Sequence, residues 1–199
     1  MIEIKNLNDS APYIQFINYY EAALEKNQLA VDAICISSFS KEKNEVESRF
    51  VNLKYINNNE WTFFSNYNSN KAKNFISHNQ ISALIYWNSI DVQIRMKAHV
   101  NFSNSNLSDN HFKNRSSKKN SLAISSYQSK KIESYEEVIK NFEKSFEQYC
   151  DETERPSFWG GYDFIPYYFE FWKGNENRIN ERNVYELKNN DWEHYILQP

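Results

Sequence analysis

Apolar residues along this chain recur at two different periods, and the period switches several times. Over 11–27, Ile14, Ile17, Tyr20 and Leu24 recur at three- and four-residue spacing, which predicts a helix with one apolar face, capped by Asp9 or Ser10. Residues 1–10 read as a polar lead-in. The short, partly β-branched run 29–37 predicts a strand, and the charged stretch 42–47 a loop. Over 49–56, Val51, Leu53 and Tyr55 alternate with Asn52 and Lys54, the two-residue period of a strand. A turn at Asn57-Asn58-Asn59-Glu60 then joins it to a strand over 61–65 as a hairpin.

The second half repeats the alternation. Residues 69–77 predict a short helix capped by Ser69 or Asn68. Strands follow over 81–87 and 92–102, around a turn at Asn88-Ser89. The polar stretch 107–128 carries short helices near 108–114 and 120–127. Val138, Ile139, Phe142, Phe146 and Tyr149 make one stripe of a helix over 135–149. Residues 152–163 read as a turn-rich loop, and late strands are expected over 168–172, 183–187 and 192–197. About seven or eight strands with helices between them argue for a mainly β, α+β architecture: an antiparallel barrel with helical additions. No repeat or linker-like stretch interrupts the chain, so residues 1–199 are expected to form one domain. Residues 1–29 form a helical extension, readable as a lid, a dimer arm or a surface helix.

Composition narrows the function classes. With 40% hydrophobic and 17% aromatic residues, wholesale disorder is excluded. A net charge of −3 removes a global drive toward nucleic acid or an acidic membrane, leaving only local basic pockets. Cys35 and Cys150 read as reduced thiols. The start has no basic stretch leading into an apolar one, and no run approaches 18 apolar residues, so a soluble cytoplasmic protein is expected. There is no phosphate-binding Gly-rich loop and no Gly-x-Ser-x-Gly elbow. His78, His99, His111 and His194 show no metal-ligand spacing.

What remains is a set of cations beside strands and turns. Arg49 and Lys54 lie five apart, so an unbroken strand would point them to opposite faces; one ligand could use both only through a twist, a bulge or by wrapping the strand. Lys71 stands in the first turn of a predicted helix, a reasonable phosphate site. Gln93 and Arg95 share a strand face, and Arg178 and Arg182 follow the aromatic end Phe171-Trp172. Singly, each reads as a solvated charge. Together they could line a pocket for an anionic aromatic ligand, with Trp172 as a flat wall.

At these residues the chain resembles the pyridoxine/pyridoxamine 5′-phosphate oxidases, from about residue 30 to the C-terminus. The most specific stretch is Arg155-Pro156-Ser157-Phe158-Trp159-Gly160-Gly161-Tyr162, then Phe169-Glu170-Phe171-Trp172-Lys173-Gly174, then Arg178-Ile179-Asn180-Glu181-Arg182. Arg49 to Lys54, Phe64-Ser65-Asn66-Tyr67, Ser69-Asn70-Lys71, Gln93 and Gln128-Ser129 follow in the expected order. The resemblance implies a split β-barrel of antiparallel Greek-key type with flanking helices, forming a homodimer with FMN at the interface. It implies that Arg49, Lys71, Gln128 and Ser129 serve the FMN phosphate, with Lys54 and Asn70 at the same site. Phe64, Ser65 and Gln93 would line the flavin, and Trp172 and Arg182 would reach it from the partner subunit.

The implied reaction oxidises the 4′-amine or 4′-alcohol of an anionic pyridine with molecular oxygen, giving pyridoxal 5′-phosphate and hydrogen peroxide. Lys54, Arg115 and Arg178 match substrate-binding positions, and Arg178 is the residue implied over the substrate ring. Asn70 stands where an arginine is usual, His111 replaces a tyrosine, Lys119 a serine and Asn180 a histidine. Three alternatives stay open: a relative that keeps FMN but oxidises another aromatic substrate, as phenazine-type members do; a carrier or sensor of FMN or haem; and a structural homodimer without flavin.

Overall fold

The computed structural model describes residues 1–148 and 154–199. Tyr149 of the apolar stripe, Cys150, and Glu152 and Thr153 of the expected loop lie outside the described residues. The chain begins with β1 (Glu3–Lys5) and α1 (Ala11–Glu25), followed by β2 (Ala33–Ser40), β3 (Glu45–Asn57) and β4 (Glu60–Asn66). Next come α2 (Asn70–Ser77), β5 (Gln80–Trp87), β6 (Val92–Phe102), α3 (Ser105–Lys113), α4 (Ser117–Ser125) and α5 (Tyr135–Gln148). The chain ends in β7 (Trp159–Lys173), β8 (Glu181–Lys188) and β9 (Asp191–Ile196).

Pairing makes these strands a barrel. β2 pairs with β3, β3 with β4, β4 with β7, β7 with β6, β6 with β5, and β5 returns to β2. The junctions between strands far apart in sequence, β2–β5 and β4–β7, give the ring its Greek-key order. β8 and β9 extend the sheet outward from β7. Among the described residues the sheet has nine strands, all antiparallel except for β1 on β3. The split barrel expected from the resemblance is therefore the observed fold. No helix among the described residues is long and apolar enough to cross a membrane.

The barrel is filled by rings. Trp61, Phe63, Phe164 and Phe169 are fully buried, and Trp61 lies 5.8 Å from Phe164 and 6.0 Å from Phe169. Helix α1 seats against this core: Phe16 meets Trp61 at 4.5 Å and Tyr13 meets Phe169 at 5.3 Å. Of the expected stripe Ile14, Ile17, Tyr20 and Leu24, Tyr20 is buried and Ile17 and Leu24 are partly buried against the core. Tyr13, Phe16, Tyr20 and Ala23 are inside, whereas Ile14 is 43% exposed. The rings of Tyr13 and Phe16 widen the buried face beyond that stripe, and the helix turns Ile14 outward.

Other boundaries moved for reasons of pairing. The lead-in 1–10 contains β1, whose Ile4 lies opposite Ile56, and Ile2 just before it is buried. The run 29–37 starts its strand late, because Ala30 takes φ 49° in a turn closed by Ala33 N–H on the Ala30 carbonyl. The charged loop 42–47 is only a tight turn; Glu45 to Glu47 are already in β3, opposite Ser40 to Ser38. The largest correction is at 152–163: the strand begins at Trp159, and its two glycines lie within the ladder. A Cβ on Gly160 would fall 2.0 Å from the Tyr67 hydroxyl, so these glycines serve close packing rather than a turn. The α5 stripe faces α4 rather than the barrel: Ser145 is buried, its hydroxyl donating to the Ser121 carbonyl at 3.0 Å, and Ile139 is 41% exposed.

Phe169 touches every part of this arrangement, with Tyr13 at 5.3 Å, Trp61 at 6.0 Å and Trp192 of β9 at 5.7 Å. Phe169→Ala is expected to cost about 3–5 kcal/mol of stability by leaving a cavity at that junction. Urea unfolding checks it; a loss below about 1 kcal/mol would mean that α1 and β9 do not depend on the ring.

Candidate functional site

A cleft of about 1050 Å³ opens beside β3 and β4, walled by α2, by the α3–α4 connection and by the residues after α4. Eleven of the expected site residues line it: Arg49, Lys54, Phe64, Ser65, Asn70, Lys71, His111, Arg115, Lys119, Gln128 and Ser129. Arg49 and Lys54 reach the same cleft because β3 is not an unbroken strand. Its register against β4 shifts between Leu53 and Tyr55, and its buried positions change phase there. That bulge resolves the opposite-face problem posed by their spacing.

One end of the cleft is built around Lys71. This residue sits in the first turn of α2, after Ser69, and is only 7% exposed. The cap hydroxyl does not bond the helix backbone; Ser69 Oγ donates to the Asn66 carbonyl at 2.7 Å instead. Lys71 Nζ donates to Ser65 Oγ at 2.9 Å and to Ser69 Oγ at 3.2 Å. It has no ion-pair partner within 4.0 Å among the described residues. Burial, and secondarily the nearby Arg49 guanidinium, lower its pKa to about 8. Arg49 donates to Ser38 Oγ at 2.7 Å and pairs with Glu47 at 3.0 Å. Gln128 Oε1 accepts from Ser65 Oγ and from the Asn66 N–H, both at 3.3 Å. Two crowded cations with hydroxyl and amide groups around them form a donor set suited to a phosphate.

The other end holds Lys54, His111, Arg115 and Lys119. Lys54 Nζ lies 2.7 Å from Asp32 Oδ2. The Arg115 guanidinium stacks 4.4 Å over Trp159, and its Nη2 donates to the Lys119 carbonyl at 3.3 Å. Arg115 Nη1 is buried and makes no hydrogen bond among the described residues. An aromatic wall lines the cleft beside these cations. His111 lies flat on Phe64 with centroids 3.8 Å apart, and Phe64 stacks on Trp159 at 5.3 Å. The wall depends on Gly161, which pairs with Phe64: a Cβ there would meet Phe64 Cε1 at 3.2 Å and Ser103 Cβ at 2.7 Å.

Five expected residues lie elsewhere. Gln93 on β6 faces Trp172 on β7, and Trp172 faces Arg182 on β8. Arg182 donates to the buried Glu170 carboxylate at 2.8 and 2.9 Å. Arg178 and Asn180 lie in the connection from β7 to β8, where Arg178 takes φ 59° and Asn180 Oδ1 accepts from the Asn175 N–H at 3.1 Å. None of the five lines the cleft. Conversely, Glu47, Asp32, Trp159 and Tyr55 carry contacts within or behind the cleft that no motif had flagged as functional. Trp159 belonged to a quoted motif, but nothing in its spacing showed that it would carry Arg115.

Comparison with known proteins was informative at both levels. A family model described as the pyridoxine 5′-phosphate oxidase C-terminal dimerisation region matches residues 159–199. A pyridoxine/pyridoxamine 5′-phosphate oxidase of Rippkaea orientalis is 33% identical over 190 residues, covering 94% of this chain and 89% of the relative. That of Coxiella burnetii is 31% identical, covering 96% of each. Among solved structures, PhzG from Burkholderia lata 383, in complex with tetrahydrophenazine-1-carboxylic acid, matches with a TM-score of 0.88 at 21% identity, over 94% of this chain and 92% of that one. A pyridoxamine 5′-phosphate oxidase-related, FMN binding protein from Nostoc punctiforme matches at 0.78 and 14% identity, over 96% and 99%. At such identities these two structures speak to the fold alone.

The Lys71 environment predicts a pH signature in the ligand-free protein. Its folded pKa of about 8 lies below the usual 10.5, so the unfolded chain holds the proton more tightly. The charged, buried lysine therefore opposes folding below pH 8, and that opposition is relieved as pH rises from about 8 to 10.5. Stability of the wild type relative to Lys71→Met should rise across that window. Melting curves between pH 7 and 10 measure it; a flat difference would exclude a desolvated lysine.

Proposed function

The chain belongs to the pyridoxine/pyridoxamine 5′-phosphate oxidase family, and from that premise we propose that it binds FMN in the cleft and oxidises pyridoxamine 5′-phosphate or pyridoxine 5′-phosphate. Molecular oxygen takes the two electrons and becomes hydrogen peroxide; the alcohol gives pyridoxal 5′-phosphate directly, and the amine does so with uptake of water and release of ammonia. The observation that carries this reading is the presence of two cation groups in one cleft, Arg49 with Lys71 and Lys54 with Arg115 and Lys119, together with the rings of Phe64, His111 and Trp159. Arg49 and Lys54 are five residues apart, about 16 Å along a regular strand and less across a bulge. Two anionic groups on two aromatic molecules suit such a span.

The residues present fit FMN. Arg49 and Lys71 would hold its phosphate, with Ser65, Asn70, Gln128 and Ser129 as neutral partners. A phosphate beside Lys71 supplies the counter-charge that this buried ammonium lacks, and would draw its pKa back up. Asn70 in place of an arginine removes one charge from this end, which makes Lys71 the larger contributor. When bound, FMN supplies the hydride acceptor and passes the electrons to oxygen. The protein's part is binding and orientation. Lys54, Arg115 and Lys119 would hold the substrate phosphate, with the Arg115 guanidinium held in place by its stack on Trp159.

Homodimer formation belongs to the same reading. Gln93, Trp172, Arg178, Asn180 and Arg182 lie outside the cleft of their own chain, mostly in the segment matched by the dimerisation model. A second copy would bring Trp172, Arg178 and Arg182 to the cleft, with Arg178 over the substrate ring. Phe50 on the cleft wall is 74% exposed and Ile179 beside Arg178 is 71% exposed, apolar surface that a partner would cover. A second reading keeps FMN and changes the substrate to another anionic aromatic molecule. It is favoured by the flat stack of His111 on Phe64 at a substrate position.

Anaerobic mixing of the FMN-loaded protein with pyridoxamine 5′-phosphate should bleach the flavin band at about 450 nm. Admitting air should restore it with release of peroxide. A protein that binds FMN but stays yellow would reject the B6 substrate and favour the second reading. Lys71→Ala should weaken FMN binding about 10- to 100-fold, the loss of one charge-assisted contact. Arg178→Ala should lower turnover about tenfold or more while the protein remains yellow; full activity would remove Arg178 from the reaction.

A further inference from the structure

Tyr55 lies on β3 at the register shift, and no motif points to it. Its hydroxyl is 2.7 Å from His111 Nδ1, and the two rings meet edge-on at 5.4 Å. On its flat face the same imidazole lies against Phe64 at 3.8 Å with an interplanar angle of 5°. His111 is thus held from two directions, and it lines the substrate end of the cleft.

Among the described residues, the charges facing His111 come from several elements: Arg115 after α3, Lys119 on α4 and Lys54 on β3, opposed by Glu3 on β1. Burial first, then these cations, lower the imidazole pKa to about 4, so at neutral pH it carries one N–H. The Tyr55 phenol is raised from its ordinary value, chiefly by burial, and keeps its proton. A protonated phenol can donate to a neutral imidazole nitrogen or accept from it, and the bond to Nδ1 has either direction according to the tautomer. With the phenol as donor, the single imidazole N–H lies at Nε2.

We propose that Tyr55 is a positioning residue which, through its hydrogen bond to Nδ1, holds His111 in the Nε2–H form against Phe64, so that the ring offers the anionic head of the substrate a directed, neutral hydrogen bond. This rests on the reading of the Lys54–Arg115–Lys119 end as the substrate end. It also assigns a division of labour: the three cations attract a phosphate, and His111 sets its orientation. Charge attracts from any direction, whereas one fixed N–H selects a direction.

The test uses Tyr55→Phe, which keeps the ring and its edge contacts and removes only the hydroxyl. Nitrogen NMR of the FMN-loaded wild type should show His111 with an unprotonated Nδ1 and a protonated Nε2, and Tyr55→Phe should show mixed tautomers. Titration with inorganic phosphate should move the wild-type His111 Nε2 resonance saturably. In Tyr55→Phe the phosphate should bind about tenfold more weakly, with FMN affinity unchanged. In turnover, the variant should raise KM for pyridoxamine 5′-phosphate about tenfold with kcat within about twofold, and should add no further loss in a His111→Ala background. A proton on Nδ1 in the wild type, or equal phosphate affinity in the two proteins, overturns the proposal. If the wild type does not oxidise pyridoxamine 5′-phosphate yet gives the expected tautomer and phosphate results, the B6 reading fails and the role of Tyr55 stands.

Discussion

The long strand β7 both closes the barrel, between β4 and β6, and carries the strands that extend beyond it. Its first part, from Trp159 to Phe164, pairs with β4, and its last part, from Tyr168 to Lys173, pairs with β8. Between Tyr162 and Lys173 it also pairs with β6. Each pairing satisfies backbone donors and acceptors that would otherwise be buried unmet at a cost of about 1–3 kcal/mol each. The β4–β7 ladder also puts Gly161 against Phe64, and the missing Cβ lets the ring lie where it can stack with Trp159 and His111. Closure of the barrel and the aromatic wall of the cleft are therefore one structural event.

The cleft differs from ordinary surface charge in how its cations are solvated. An exposed ion pair contributes about 0–1 kcal/mol and needs no explanation. Lys71 and Arg115 are in another regime, since burial lowers the pKa of both. The protein neutralises some of this charge itself: Glu47 holds Arg49 at 3.0 Å and Asp32 holds Lys54 at 2.7 Å. Lys71 is left with hydroxyl partners, and Arg115 Nη1 with no hydrogen bond among the described residues. Each end of the cleft thus combines one internally paired cation with one whose electrostatic needs an anionic ligand would meet. Asp32 and Glu47 also moderate the positive field, so that a bound anion exchanges with, rather than simply adds to, contacts already made.

The dimer reading has a similar physical basis. The cleft of one chain holds the cations and the aromatic wall, but Trp172 and Arg182, opposite each other on β7 and β8, do not line it. Arg182 is held there by Glu170, a buried carboxylate that also pairs with Arg95 at 3.2 Å. Such a pair, once formed, keeps its guanidinium at a defined place on the surface of the C-terminal strands, ready for whatever packs against them.

Alternation over 49–56, 81–87 and 92–102 was enough to read the central strands, and the ordered motifs from Arg49 to Arg182 were enough to read the family and most of the cleft. These are local signals, carried by side chains that alternate along one strand or match residue by residue along the chain. Residues 159–163 could not be read that way, because two glycines in a row signal a turn unless a partner strand and the Tyr67 hydroxyl are known to lie against them. Likewise the stripe Ile14, Ile17, Tyr20 and Leu24 marked α1, but the seating that also buries Tyr13 and Phe16 and exposes Ile14 was set by the rings already inside the barrel. Whether Arg49 and Lys54 could share a ligand depended on a bulge that exists only once β4 is paired with β3. Tyr55 stayed invisible for the same reason: its hydroxyl has meaning only beside His111, 56 residues away in sequence and 2.7 Å away in space. Period and motif are written along the chain, but register, burial and the desolvation of charge arise only when distant segments exclude water from one another.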